Sequence, residues 1–93
     1  MTNWTFLTNH SQVLLCIAQN PRLTAKEIAT TVGITERAVQ RLLDDLDEGG
    51  YITRSREGRK NVYEIHPERP MRHPAQQGRA IRDLLDLLGS PKS

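Results

Sequence analysis

Apolar residues recur along the chain at intervals of three and four through three successive stretches, and then the period changes. Val13, Leu14, Ile17 and Ala18 share one face of a helix that Thr8 and Asn9 open and Asn20-Pro21 closes. Thr24, with Glu27 three residues later, is a capping-box signal for a second helix, whose apolar face holds Ile28, Ala29 and Val32. Gly33 follows where a left-handed residue usually stops a helix. Thr35 then supplies an N-cap, with the acid Glu36 beside it, for a third helix from Glu36 to about Glu48. Its inward positions are Val39, Leu42, Leu43 and Leu46, and Gly49-Gly50 closes it. Ala29 is small enough to let the two helices cross closely, and Ile34 plugs the turn between them. Ala29, Gly33 and Val39 together follow the grammar of a helix-turn-helix.

Beyond Gly50 the period shortens to two. Tyr51 to Arg56 reads as a strand, Glu57-Gly-Arg-Lys as a turn, and Asn61 to Ile65 as a returning strand, a β-hairpin. Alternation puts Tyr63 and Ile65 on one face and Val62 and Glu64 on the other. Helix, helix, helix, hairpin is the order of a winged helix: mainly α with a small β-hairpin, over residues 1–66. Residues 67–73 contain Pro67 and Pro70 without an apolar period and read as an extended connector. Pro74 suits the first turn of an additional C-terminal helix reaching Leu88, with Gly89 and Pro91 ending it. Gly78, Ile81, Leu85 and Leu88 recur on one stripe, with Leu84 beside them. Such a stripe beyond a connector needs a surface to cover it, and Gly78 would admit a close helix. Residues 74–88 are therefore the expected dimerisation element.

Ninety-three residues make one domain with a modest core, and a hydrophobic content of 37% strengthens the expectation of a dimer. A net charge of +2 says little, but its distribution says more: acids crowd at Asp44, Asp45, Asp47 and Glu48, bases at Arg54, Arg56, Arg59 and Lys60. That polarity suits one face meant for an anion and another kept from it. The lone Cys16 excludes an internal disulfide framework, fits a reducing cytoplasm and reads as a core filler, with redox sensing as the alternative. No leader or membrane span is visible, so a cytoplasmic protein is expected. His10, His66 and His73 lack ligand spacing, and no nucleophile–base pair, carboxylate pair or phosphate loop appears. Neither an enzyme nor a cofactor is expected. Trp4 and Phe6 read as a patch over the terminal helix; a small-molecule effector pocket between them is the weaker alternative.

The segments Thr24-Ala-Lys-Glu-Ile-Ala and Val32-Gly-Ile-Thr-Glu-Arg-Ala-Val, then Leu46 through Gly50-Tyr-Ile and Arg59-Lys-Asn-Val-Tyr, resemble small winged-helix regulators of the MarR and ArsR kind. The likeness covers about residues 10–65. It implies a homodimeric, sequence-specific, double-stranded DNA-binding transcriptional regulator, nucleoid-associated if bacterial. The chain is shorter than typical MarR-like proteins, and the paired cysteines of ArsR-like metal sensors are absent, so metal sensing is not implied.

On that resemblance the third helix enters the major groove, and Glu36, Arg37, Gln40 and Arg41 face outward. Arg37 suits guanine and Gln40 adenine; Glu36 either accepts from cytosine or simply stabilises the helix N-terminus. Thr35 caps the helix, with a phosphate contact as an added role. Arg41 either meets a phosphate or pairs with Asp45 one turn on. Arg54, Arg56, Arg59 and Lys60 form a basic wing for the backbone or minor groove, against the alternative of a solvated tip. Thr24 and Lys26, opening the second helix, are implied phosphate contacts. The alternative function is a winged-helix protein–protein interaction module without DNA binding, docking through the same surface or through the acidic cluster Asp44 to Glu48, whose other reading is a solvated helix C-terminal half.

Overall fold

A computed structural model describes residues 6–88. Three helices, α1 (Asn9–Gln19), α2 (Ala25–Val32) and α3 (Glu36–Glu48), precede a hairpin of β1 (Ile52–Glu57) and β2 (Lys60–Ile65). A single 3-10 turn (Pro74–Gln76) and α4 (Ile81–Leu88) follow. Each of the first three helices starts as its threonine dictates. Thr8, Thr24 and Thr35 accept from the backbone N–H of Ser11, Glu27 and Ala38, satisfying donors that a helix N-terminus otherwise leaves orphaned. At α2 the capping box is complete, with the Glu27 carboxylate accepting from the Thr24 N–H at 2.9 Å. Gly33 ends α2 at φ 86°, where a side chain would strain the backbone.

Val13, Leu14 and Ile17 of α1 meet Ile28 and Ala29 of α2 and Val39, Leu43 and Leu46 of α3, all buried. Leu42, expected inward, is only partly buried, and Leu43 takes the centre of the face. Ile34 and Cys16 pack against this core from its margin. The antiparallel strands pair Ile52 with Ile65 and Arg54 with Tyr63, and Ile52 and Tyr63 join the core. The Tyr63 N–H donates to the Pro21 carbonyl at 3.1 Å, fastening the hairpin to the link between α1 and α2.

The C-terminal region departs from expectation. Residues 67–73 are a hydrogen-bonded strap, not an extended connector. Met71 donates to Arg79, Ile81 to Arg69 and Arg82 to Pro67, and the Tyr51 hydroxyl donates to the Pro70 carbonyl at 2.7 Å. Arg69 reaches the Gly49 carbonyl at 3.1 Å, its guanidinium 5.9 Å from the Tyr51 ring centre. The expected helix over 74–88 is broken. Gly78 adopts φ 86° in a turn, so it lies on no helical stripe, and α4 starts only at Ile81. Ile81 is buried in the chain's own core, which removes it from any dimer face. Leu85 packs partly on the same core, while Leu87 and Leu88 stay exposed. Trp4 lies outside the described residues, and Phe6 is 92% exposed, so Phe6 does not cover α4.

Candidate nucleic-acid interface

The outward face of α3 follows from its inward one. With Val39, Leu43 and Leu46 buried, helical spacing leaves Arg37, Gln40, Arg41 and Asp44 as one exposed stripe, with Glu36 beside its start. Arg37, Gln40 and Arg41 make no side-chain hydrogen bond or ion pair among the described residues, so their donors face solvent. The Arg41–Asp45 pair expected from helix spacing does not form. Asp45 is instead engaged by His10 of α1, Nε2 to Oδ2 at 2.8 Å. Thr35 remains exposed while it caps α3.

The wing separates into held and unheld bases. Arg54 is gripped by α3: its Nε donates to Asp47 Oδ2 at 2.9 Å and its Nη1 lies 3.0 Å from Asp44 Oδ1. Partial burial pulls the Arg54 pKa down, but hydrogen bonds to Asp47 and Asp44 outweigh it, and the net shift is upward. Arg54 thus differs from the other three expected wing contacts in being held by α3. Arg54 faces inward because it shares the strand face of the buried Ile52, two residues earlier. Arg56 donates to the Arg59 carbonyl at 3.3 Å across the turn and stays exposed, as do Arg59 and Lys60.

One contact at the tip is not visible in the sequence pattern. Arg22 pairs with Glu57, and this contact holds the Glu57 carboxyl below its usual range. Hydrogen bonds from Thr24 lower the Glu27 pKa, and the nearby positive charge of Lys60 adds to this. Thr24 and Lys26 at the start of α2 are exposed, and Arg22, two residues ahead of Thr24, pairs with Glu57 at the wing tip. Arg54 on Asp44 joins the wing to the outward stripe of α3. The start of α2, the stripe and the wing therefore lie side by side.

A cleft of about 360 Å³ lies between α1, the C-terminal half of α3, the strap and α4. Leu14, Leu46, Met71 and Leu84 line it together with His10 and Arg72. Cys16, partly buried on α1, has its thiol pKa raised by burial, as suits a packing residue. No cluster of three or more His, Cys, Asp or Glu side chains that could hold a metal exists among the described residues. No described helix is long and apolar enough to cross a membrane.

Three helices with a capped second-to-third turn, followed by a basic hairpin, define a winged helix-turn-helix. The MarR family profile matches residues 5–60, and the chain belongs to that family of winged-helix transcriptional regulators. Among solved structures it is similar to a MarR family protein of Mycobacterium tuberculosis crystallised with salicylic acid. The identity is 26% and the TM-score 0.53, over 64% of this chain and 47% of that one. The chain thus spans about half the length of that relative. A search of curated proteins returned no match.

Proposed function

We propose that this chain is a sequence-specific double-stranded DNA-binding regulator acting as a homodimer. The observation that carries the reading is the exposed stripe of Arg37, Gln40 and Arg41, none of them engaged by a described neighbour, on a helix whose opposite face is sealed in the core. Planar forks of this type read base edges in the major groove. Thr24, Lys26, Thr35, Arg56, Arg59 and Lys60 flank the stripe and suit phosphates or a narrow minor groove. Glu36 suits a cytosine amino group or the α3 dipole. Family membership supports a regulator rather than an enzyme, and that role suits a cytoplasmic location.

The dimer face we propose is Leu84, Leu87 and Leu88, with Leu85 at its edge, because Ile81 is buried and Gly78 lies in a turn ahead of α4. The cleft beside α4 is the place for a small-molecule effector. Its Arg72 suits an organic acid, and the M. tuberculosis relative was crystallised with salicylic acid. The competing reading is a protein-interaction module without DNA binding, docking through the same surface or through the acidic half of α3. Asp44 and Asp47 are occupied by Arg54, and Asp45 by His10, which leaves Glu48 alone.

Selection of bound duplexes from a random pool, followed by sequencing, tests the proposal. A near-palindromic site is expected, with half-sites about 10 base pairs apart or a multiple of that. No enrichment would refute sequence-specific binding, and a single asymmetric half-site would refute the dimer.

A further inference from the structure

Two spaces meet at Arg72. One is the apolar cleft beside α4. The other is a mostly polar cavity of about 500 Å³ between the C-terminal end of α3 and the strap. Asp45, Tyr51, Met71 and Arg72 line both, so the two are adjoining lobes of one site. Each lobe falls within the roughly 300–1,000 Å³ of an ordinary small-molecule pocket.

The polar lobe holds four charged side chains, two of each sign: Asp45 and Glu48, Arg69 and Arg72. Two of them are spent within the fold. Asp45 is engaged by His10, and Arg69 donates to the Gly49 carbonyl beside the Tyr51 ring. Glu48 and Arg72 make no side-chain hydrogen bond or ion pair among the described residues. They line the same lobe without pairing with each other. A plain organic acid would satisfy Arg72 but bring a second negative charge beside Glu48. A plain amine would do the reverse. A zwitterion satisfies both, each through a charge-assisted hydrogen bond, the stronger kind. The apolar lobe sets the rest of the ligand, because Leu14, Leu46, Met71 and Leu84 offer hydrocarbon to whatever projects past Arg72.

We propose that this site binds an α-amino acid with a large apolar side chain, its carboxylate on Arg72, its ammonium group on Glu48 and its side chain in the cleft beside α4. The proposal rests on the reading of that cleft as an effector site and narrows the effector from an organic acid to a zwitterion. It also gives a role to Glu48, the acid of the α3 cluster that no described residue engages.

The test titrates the full chain with L-phenylalanine and L-leucine, and with three truncated probes. Phenylpropanoate lacks the amine, phenethylamine lacks the carboxylate, and glycine lacks the side chain. Isothermal titration calorimetry gives each Kd, and backbone amide resonances report where each probe sits. Phenylalanine and leucine should bind, with shifts at Gly49, Met71 and Leu84. Each truncated probe should bind about tenfold or more weakly, the scale of one hydrogen bond to a charged group or of one apolar side chain. Glu48→Gln should bring phenylalanine down to the affinity of phenylpropanoate and leave phenylpropanoate no weaker. Arg72→Gln should weaken both and spare phenethylamine. Both residues are exposed, so the variants should fold, and thermal unfolding without ligand checks this.

Phenylpropanoate binding as tightly as phenylalanine, or phenylalanine indifferent to Glu48→Gln, would overturn the proposal and leave the cleft as a site for a simple acid. Phenethylamine or glycine binding as tightly as phenylalanine would overturn it as well, because Arg72 or the apolar lobe would then take no part. Absence of binding by every probe at millimolar concentration would instead remove the effector reading of the cleft, and this proposal with it.

Discussion

Truncating Ile81 decides whether α4 belongs to the winged-helix domain or stands apart as a dimer arm. Ile81 is 4% exposed and joins the same core as Ile17 and Leu43. Isoleucine-to-alanine changes at such sites cost about 2–5 kcal/mol, the spread reflecting how far the site relaxes. Ile81 lines the cleft of about 360 Å³ and sits on the first turn of a short helix, so the neighbourhood can relax and little new void is sealed in. We therefore expect Ile81→Ala to cost about 2–3 kcal/mol. Against a total of about 5–15 kcal/mol for a domain of ordinary stability this is a large fraction. At about 4–8 °C per kcal/mol, the melting temperature should fall by about 10–20 °C. The assay is urea unfolding followed by far-UV circular dichroism, at protein concentrations differing roughly a hundredfold. Loss from the chain's own core should be present at the lower concentration, where dimers dissociate. Leu87, 78% exposed, is the contrast: Leu87→Ser should leave the dilute protein unchanged and reduce only the concentration dependence. Ile81→Ala within about 0.5 kcal/mol of the wild type at low concentration would refute the placement of Ile81.

Three further outcomes follow from the described contacts. Arg37→Ala should relax base preference at one position of the selected site, whereas Arg59→Ala should weaken binding to all sequences and lower the salt slope by about one; equal loss at every base position for Arg37→Ala would remove α3 as the reader. Tyr51→Phe, losing the hydroxyl that donates to the Pro70 carbonyl, should cost about 0.5–1.5 kcal/mol and speed hydrogen exchange at Met71 and Ile81, and unchanged exchange there would show that the strap does not depend on this bond. The Glu27 pKa is lowered in the folded chain by its hydrogen bonds from Thr24, so its contribution is present above its ordinary carboxylate pKa and fades as pH falls through the lowered value. Glu27→Gln keeps a capping-box side chain without that titration, so its urea midpoint should converge on the wild type in acid and fall below it at neutral pH, and a constant gap across pH would contradict the assignment.

How far the fold could be read from the residues depended on whether the relevant partner was near in sequence. The starts of α1, α2 and α3 are set by threonines that cap donors three residues away, and Gly33 ends α2 through its own φ. Those signals are local, and the structure follows them. The C-terminal stripe failed for the opposite reason. Gly78, Ile81, Leu85 and Leu88 have helical spacing, but the Arg69 carbonyl accepts from Ile81, and Met71 pairs with Arg79. Backbone pairing with the strap and a positive φ at Gly78 outweigh a helix through this stretch. Likewise the spacing of Arg41 and Asp45 is right for a pair, yet His10, distant in sequence, is packed against Asp45. The placement of Arg54 is itself legible: counting in twos from Ile52 puts it on the same strand face, toward α3.

These corrections bear on a feature of α3 that helix physics alone leaves unexplained. Asp44, Asp45, Asp47 and Glu48 crowd its C-terminal half, where acids oppose the helix dipole. The dipole cost is offset by what three of them hold: Arg54 of the wing on Asp44 and Asp47, and His10 of α1 on Asp45. The helix is thus divided along its length. Its C-terminal half is tied to two neighbouring elements and sets where the helix points. Its N-terminal half keeps Arg37, Gln40 and Arg41 without described partners, and so keeps their hydrogen-bonding capacity for a ligand. Had the acids been spread evenly, Arg41 would have had a carboxylate one turn away with no competitor, and the stripe would have lost a cation. Concentrating negative charge where it meets Arg54 and His10 is what leaves the N-terminal half of the helix positive.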